Sequence, residues 1–437
     1  MRLLLAVCYR SLLIGTLVLL LGGCERESLP EPATPPPAEQ VPSTTSELAV
    51  CEANPGWITH PSPPDEVLVK NEQTCTYHQF AWQWFLSLMS PAADNPELRH
   101  FQVANNYVGL QMGQDSCAAT TSSPHYFIRT VKREDSSAAF TLPGHPQENS
   151  PPSAFYDHNG QPVFYSVIFN RALCEANDSG NLPTHTTELK LAWRLIEAHE
   201  KSDYLWVEAD VLDEGPERGA SNETLGLIGF HLAQSTAKHP AMVWASFEHK
   251  NNAPSCLNPD KPPAEGWAFL SQSCQACLQQ PDTDCLESCS LNQPQSNSEP
   301  SQVCRLFLAG TAPDDQHSQQ NLADVTALNT QFTGPEGLLT QLPEDDVMAV
   351  LANYFHLGTL WLNDAQQTAT PENQRGSRQL ASTVMEAPWQ GNLQLDNGKL
   401  TPSTEGQVNC FGCHQYQPKQ TANSGLSHIV DRVRQQR

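Results

Sequence analysis

Between Thr74 and Ser90 the chain reads TCTYHQFAWQWFLSLMS, with apolar side chains at Tyr77, Phe80, Ala81, Trp84, Phe85 and Leu88. Steps of three and four put these on one stripe of an α-helix, which Pro91 ends. Further on the pattern changes. Pro162 to Arg171, centred on VFYSVIF, and Tyr204 to Leu212 are rich in Val, Ile and aromatic residues and predict β-strands. Thr187 to Glu197 between them predicts a helix, as does Val347 to Leu362. Leu225 to Leu232 and Ala241 to Phe247 predict two strands paired across Ser235 to Pro240. Helices mixed with hairpin-linked strands give an α+β fold, one large body with an antiparallel sheet. The stretch contains no internal repeat, GxGxxG, P-loop or G-x-S-x-G.

The two ends depart from this pattern. Met1 to Arg10 carries two arginines and no acid, Ser11 to Leu21 is an unbroken run of uncharged, largely apolar residues, and Gly22 and Gly23 follow. Residues 1–23 therefore read as a secretory signal peptide, because the run is shorter than the roughly 20 apolar residues needed to span a bilayer. Leu21-Gly22-Gly23-Cys24 resembles a bacterial lipobox, which implies lipid attachment at Cys24. Glu25 at the next position is not the aspartate associated with inner-membrane retention, so the expected place is the outer membrane or the periplasmic face. Residues 24–49 are rich in Pro, Glu, Ser and Thr and poor in apolar residues, the composition of a tether.

With 437 residues, 39% of them hydrophobic, nine tryptophans and fifteen phenylalanines, the remaining chain can bury a sizeable core. The formal net charge is −24, and removing residues 1–23 takes away Arg2 and Arg10 and no acid, leaving −26. Such a surface repels nucleic acid and favours a basic protein partner. Ten cysteines, Cys51, Cys75, Cys117, Cys174, Cys256, Cys274, Cys277, Cys285, Cys289 and Cys304, make an even set that reads as five disulfides in an exported chain. The spacing of Cys274, Cys277, Cys285 and Cys289 leaves a zinc site as the alternative. Residues 253–320 hold six of these ten cysteines among Pro, Gln, Asn, Ser and Asp, and read as a stapled insertion in a body spanning 50–400.

Residues 401–437 carry the most specific signal. Cys410-Phe411-Gly412-Cys413-His414 is the C-x-x-C-H pattern of c-type haem attachment. Two thiols three positions apart reach the two vinyl groups on one porphyrin edge, and the adjoining histidine faces the iron. The motif occurs once, so one covalent haem c is expected, held by Cys410 and Cys413 with His414 as proximal ligand. Small cytochromes of the ordinary class I type place this motif near the N-terminus and a ligating methionine after it. Here 23 residues follow His414 and none is Met, so that fold is not expected. His428 is the first candidate for the distal ligand. Met385, His231 and His356 are alternatives, as is an open position.

Several segments together resemble a family of large, exported, uncharacterised bacterial monohaem proteins with a C-terminal attachment motif. They are FAWQWFLSL at Phe80–Leu88, ELKLAWRL at Glu188–Leu195, LGLIGFHLAQST and MVWASFEHKNNAP between Leu225 and Pro254, HLGTLWL at His356–Leu362, LASTVMEAPWQ at Leu380–Gln390 and NCFGCH at Asn409–His414. The resemblance implies a haem-bearing redox protein and brings no substrate or catalytic residue. The cysteine-rich insertion departs from the family pattern. The expected function is electron transfer by a monohaem lipoprotein in the periplasm or at the outer membrane. The alternatives are a peroxidase-like haem oxidoreductase and a haem-based redox or gas sensor. Glu248 and His249 are candidates for acid and base beside an open iron, or for capping a strand end.

Overall fold

A computed structural model describes residues 50–67, 74–110, 115–118, 127–129, 155–176, 182–212, 220–293, 299–311, 316–365, 367, 369–403, 405, 410–414 and 426–435. The expected signal peptide, Cys24 and the expected tether lie outside the described residues. Seven helices are present among the described residues: α1 (Gly56–Thr59), α2 (Thr74–Met89), α3 (Gln272–Gln279), α4 (Thr283–Cys289), α5 (Gln316–Thr333), α6 (Cys410–Cys413) and α7 (His428–Gln435). None is long and apolar enough to cross a membrane.

The strands run β1 (Pro91–Ala92), β2 (Asn95–Arg99), β3 (Tyr107–Gly109), β4 (Phe127–Arg129), β5 (Phe164–Asn170), β6 (Thr187–Leu195), β7 (Trp206–Leu212), β8 (Ala220–Gln234), β9 (Val243–His249), β10 (Tyr354–Leu362), β11 (Gln374–Gly376), β12 (Asn392–Asp396) and β13 (Lys399–Ser403). Nine of them form the main sheet, in the order β11-β10-β9-β8-β6-β5-β4-β7, with β3 added beside β5 and β7 pairing back onto β8. Apart from the short β4–β7 contact, every pairing is antiparallel. The mixture of helices and antiparallel sheet is the α+β class expected. The helix at 74–90 and the strands at 162–171, 204–212, 225–232 and 241–247 also match their expectations within a few residues.

Two expected helices are strands. Glu188-Leu189-Lys190-Leu191-Ala192-Trp193-Arg194 is made of good helix formers, yet it alternates polar with apolar at period two. That alternation lets Leu189, Leu191 and Trp193 enter one core while β5 and β8 pair along both edges. In Val347–Leu362 only Ala349–Asn353 is helical, a 3-10 turn, and Tyr354–Leu362 is β10. Gly358 makes this strand possible. Its register shifts between His356 and Gly358, its φ is +155°, and a Cβ there would sit 2.0 Å from Ser377 Oγ.

One face of the sheet packs under α2 and α5. Trp82 stacks on Phe332 at 4.4 Å between ring centres and Phe85 on Phe247 at 4.1 Å, with both Trp82 and Phe85 fully buried. Each such aromatic buries roughly 150–250 Å², so this face carries a large hydrophobic core. Asn321 on α5 ties the face together by donating to Thr311 Oγ1 at 2.8 Å and Ser377 Oγ at 3.0 Å.

The insertion has a small core of its own. Trp267, Leu270, Leu278, Leu306 and Phe307 are buried there with its cysteines. The disulfides are Cys256–Cys304, Cys274–Cys289 and Cys277–Cys285, and elsewhere Cys51–Cys75 and Cys117–Cys174. All ten body cysteines are thus paired, which leaves no thiolate for the zinc alternative.

Candidate haem-attachment site

The opposite face of the sheet carries the C-terminal segment. In α6, Phe411 is fully buried among Leu357, Leu360, Leu380 and Leu426, and it fixes the turn against the sheet. His414 N–H donates to Cys410 C=O at 2.7 Å and closes that turn. The Cys410 side chain is partly buried, its sulfur 3.9 Å from Leu380 C=O.

The second half of the segment folds back onto the first. Leu426 is buried beside Phe411, and its carbonyl accepts a 2.8 Å hydrogen bond from His414 Nδ1. Ser427 caps α7: its hydroxyl oxygen accepts from Ile429 N at 3.2 Å and Val430 N at 3.1 Å. The same hydroxyl donates to Glu188 on β6. Val430 and Val433, both buried, pack α7 onto Val108, Val167 and Phe169. Burial pushes the Glu188 carboxyl up to about 7, with the Ser427 hydrogen bond opposing.

This docking brings His428, the first residue of α7, onto His414. Their rings lie 4.4 Å apart at 18°. Burial, and after it the neighbouring His428, lowers the His414 pKa to about 3. The His414 ring is therefore neutral. Its Nδ1 carries the proton that Leu426 accepts, so Nε2 keeps a lone pair.

The sheet register supplies the floor. Glu188, Ala233 and Trp244 stand opposite one another on β6, β8 and β9, so their side chains share one row on one face. Glu188 holds Ser427 at one end of the row. Trp244 at the other end packs against Phe411 at 6.2 Å and His414 at 4.8 Å. Ala233 stands between them in the row.

Of the residues expected from sequence, Cys410, Cys413, His414 and His428 are brought together, the first three within one helical turn. Met385 is not. It is fully buried in another cluster with Val384 and Ile228, against Gly229. His356 is buried on the far face, its Nε2 2.9 Å from Thr359 Oγ1. Glu248 is bound by Arg305 at 3.1 Å and by the Thr383 hydroxyl at 2.7 Å. His249 stacks on Tyr204 at 4.0 Å and burial lowers its pKa to about 3. Glu248 and His249 thus hold the sheet to neighbouring segments.

Glu188 and Trp244 do not stand out by residue type and enter the site through register, whereas Leu426 enters it through the fold-back before α7. The only sequence signal of the two strand residues is period-two alternation in 188–194 and 242–248. Among the described residues no group of three or more His, Cys, Asp or Glu side chains converges as a metal site. No family model matches this chain, and neither a curated protein nor a solved structure matches it.

Proposed function

We propose that this protein is a monohaem c-type cytochrome of the kind its C-terminal motif resembles, and that it transfers electrons outside the cytoplasm. The observation that carries the reading is the state of His414. A haem-ligating histidine needs a neutral ring, one nitrogen held by a hydrogen bond and the other available, and Leu426 imposes that arrangement. Cys410 and Cys413 would hold the haem through thioether bonds, His414 would ligate its iron, and His428 is the candidate for a second iron ligand. The haem, when bound, supplies a one-electron couple. The chain's own part is to orient the His414 ring through Leu426, to hold His428 at the start of α7, and to screen the pair with Trp244 and Phe411.

Lipid attachment at Cys24 would hold the body at the outer membrane or the periplasmic face, with residues 25–49 as spacer. The −26 charge beyond residue 23 favours a basic redox protein as partner. Absorption spectra of the full chain, made with a c-type haem maturation system, test the reading. The expected result is covalent haem that is low-spin when reduced and unresponsive to carbon monoxide. His428→Ala should then open the iron to carbon monoxide, and Met385→Ala should not. No covalent haem would overturn the proposal. Ready carbon monoxide binding by the unaltered protein would move it to a haem oxidoreductase or a gas sensor.

A further inference from the structure

The turn between β8 and β9 contains Thr236-Ala237-Lys238-His239 and meets α2 through a chain of three side chains. Glu66, N-terminal to α2, is its anchor. Its Oε1 accepts from Thr236 Oγ1 at 2.6 Å and from His239 Nδ1 at 3.0 Å, while Oε2 accepts from Lys238 N at 2.9 Å. On the other side of the imidazole, His239 Nε2 lies 2.9 Å from the Tyr77 hydroxyl. The Tyr77 ring lies flat on Trp361 of β10, with 3.7 Å between ring centres and 2° between the planes.

The order of these contacts fixes the protons. Burial raises the Glu66 pKa, but the hydrogen bonds from Thr236, Lys238, Val67 and His239 outweigh it and hold the carboxyl below its usual range. A carboxylate only accepts, so His239 Nδ1 carries the hydrogen and Nε2 keeps its lone pair. The Tyr77 hydroxyl therefore donates to Nε2. Burial lowers the His239 pKa, with Glu66 opposing and Lys238 adding to the fall, so the ring is neutral and able to take a proton. Burial, and after it the charge of Glu66, pushes the Tyr77 hydroxyl up to about 12, so at rest the phenol is intact. Carboxylate, imidazole and hydroxyl in this order make a relay in which the imidazole receives the hydroxyl proton and the carboxylate stabilises the imidazolium. Tyr77 and Trp361 are 7% and 6% exposed, too covered for a substrate to reach the phenol oxygen. An electron needs no such access. A phenol that loses an electron becomes a strong acid, so a base at its hydroxyl makes that loss easier.

We propose that Tyr77 is a redox-active tyrosine that gives one electron to a soluble outer-sphere one-electron oxidant, with His239 as the base that receives its proton. The electron passes from the phenol ring to the oxidant, the Tyr77 O–H bond breaks, and an N–H bond forms at His239 Nε2. The products are a neutral tyrosyl radical, an imidazolium paired with Glu66 and the reduced oxidant. An electron from a one-electron reductant and the proton held on His239 restore the phenol. Trp361 shields the radical and overlaps its π system, and Glu66 is a positioning residue that acts through His239. None of these residues belongs to the C-terminal site, and the reaction is independent of haem.

The test is oxidation of the full chain with hexachloroiridate(IV), read by rapid freeze-quench electron paramagnetic resonance. Incorporated ring-deuterated tyrosine narrows the signal of a tyrosyl radical and so identifies it. The unaltered protein should give this signal. Tyr77→Phe keeps the ring on Trp361, removes only the hydroxyl, and should lose it. Stopped-flow consumption of the oxidant should contain a component that is lost in Tyr77→Phe and is slower in deuterium oxide, because the proton moves with the electron. His239→Gln, whose amide oxygen accepts the hydrogen bond but not the proton, should lose that component, and Glu66→Gln should slow it. Far-UV circular dichroism checks that each variant folds, and where His239→Gln does not, Tyr77→Phe and the isotope effect decide. No tyrosyl signal in the unaltered protein, or one that survives Tyr77→Phe, overturns the inference. So does a component insensitive to deuterium oxide, or one unchanged in folded His239→Gln or Glu66→Gln, and the haem reading stands in each case.

Discussion

Two histidine pairs lie on opposite faces of one sheet, and the sheet treats them differently. His78 and His356, under α2, have ring centres 5.3 Å apart and are fully buried among Trp82, Phe247 and Trp361. Each ring has one satisfied nitrogen, through Asn321 or Thr359, while Nδ1 of each has no hydrogen-bond partner. His414 and His428 are half-buried, nearly parallel, and adjoin Cys410. A buried imidazole among aromatics is a packing element. A ring that keeps an available nitrogen at an accessible edge beside thiols has the makings of a ligand.

The comparison breaks most readily at the thiols. Cys410→Ser with Cys413→Ser should abolish covalent haem in the pyridine haemochrome assay and leave far-UV circular dichroism unchanged. His78→Asn should leave haem attachment intact. If both changes removed haem, the two pairs would not be functionally distinct.

Next in size is the packed face. Trp82→Ala removes a fully buried ring stacked on Phe332 and should cost about 3–5 kcal/mol in denaturant unfolding, with haem content retained in the folded fraction.

The pH dependence is smaller and has a definite sign. Burial lowers the His78 pKa from 6.5 to about 4, so between these values the unfolded chain binds a proton that the folded one does not. Stability from this residue is complete above about 6.5 and is lost as pH falls towards about 4, by up to roughly 3 kcal/mol. His78→Asn should make acid unfolding shallower over this window. An unchanged slope would mean that His78 does not resist protonation in the fold. The smallest expected effect is on the other face. Ser427→Ala removes the cap of α7 and should cost about 1 kcal/mol, read as faster amide exchange in 428–435.

Legibility differed between elements for physical reasons. The 74–89 helix was readable because large apolar side chains repeat at helical steps and Pro91 ends it. The 187–195 strand was misread because its residues favour helix intrinsically, while pairing on both edges decided otherwise. The 354–362 strand was misread because its strand geometry depends on Gly358 meeting Ser377, a contact between residues 19 positions apart. The five disulfides followed from an even cysteine count, whereas their connectivity required the fold.

By itself the sequence determined which chemistry is available: two thiols and an imidazole at a fixed spacing, a second imidazole 14 positions on, and enough aromatic residues for a core. Spacing along the chain is covalent, and within one helical turn it is almost geometry. Tertiary structure alone decided that His428 and not Met385 or His356 meets His414, that Leu426 accepts the Nδ1 hydrogen bond, and that Trp244 packs against the His414 ring. Those contacts join residues far apart in sequence. They exist because antiparallel register and the burial of Phe411, Leu426, Val430 and Val433 fix where the segment lands.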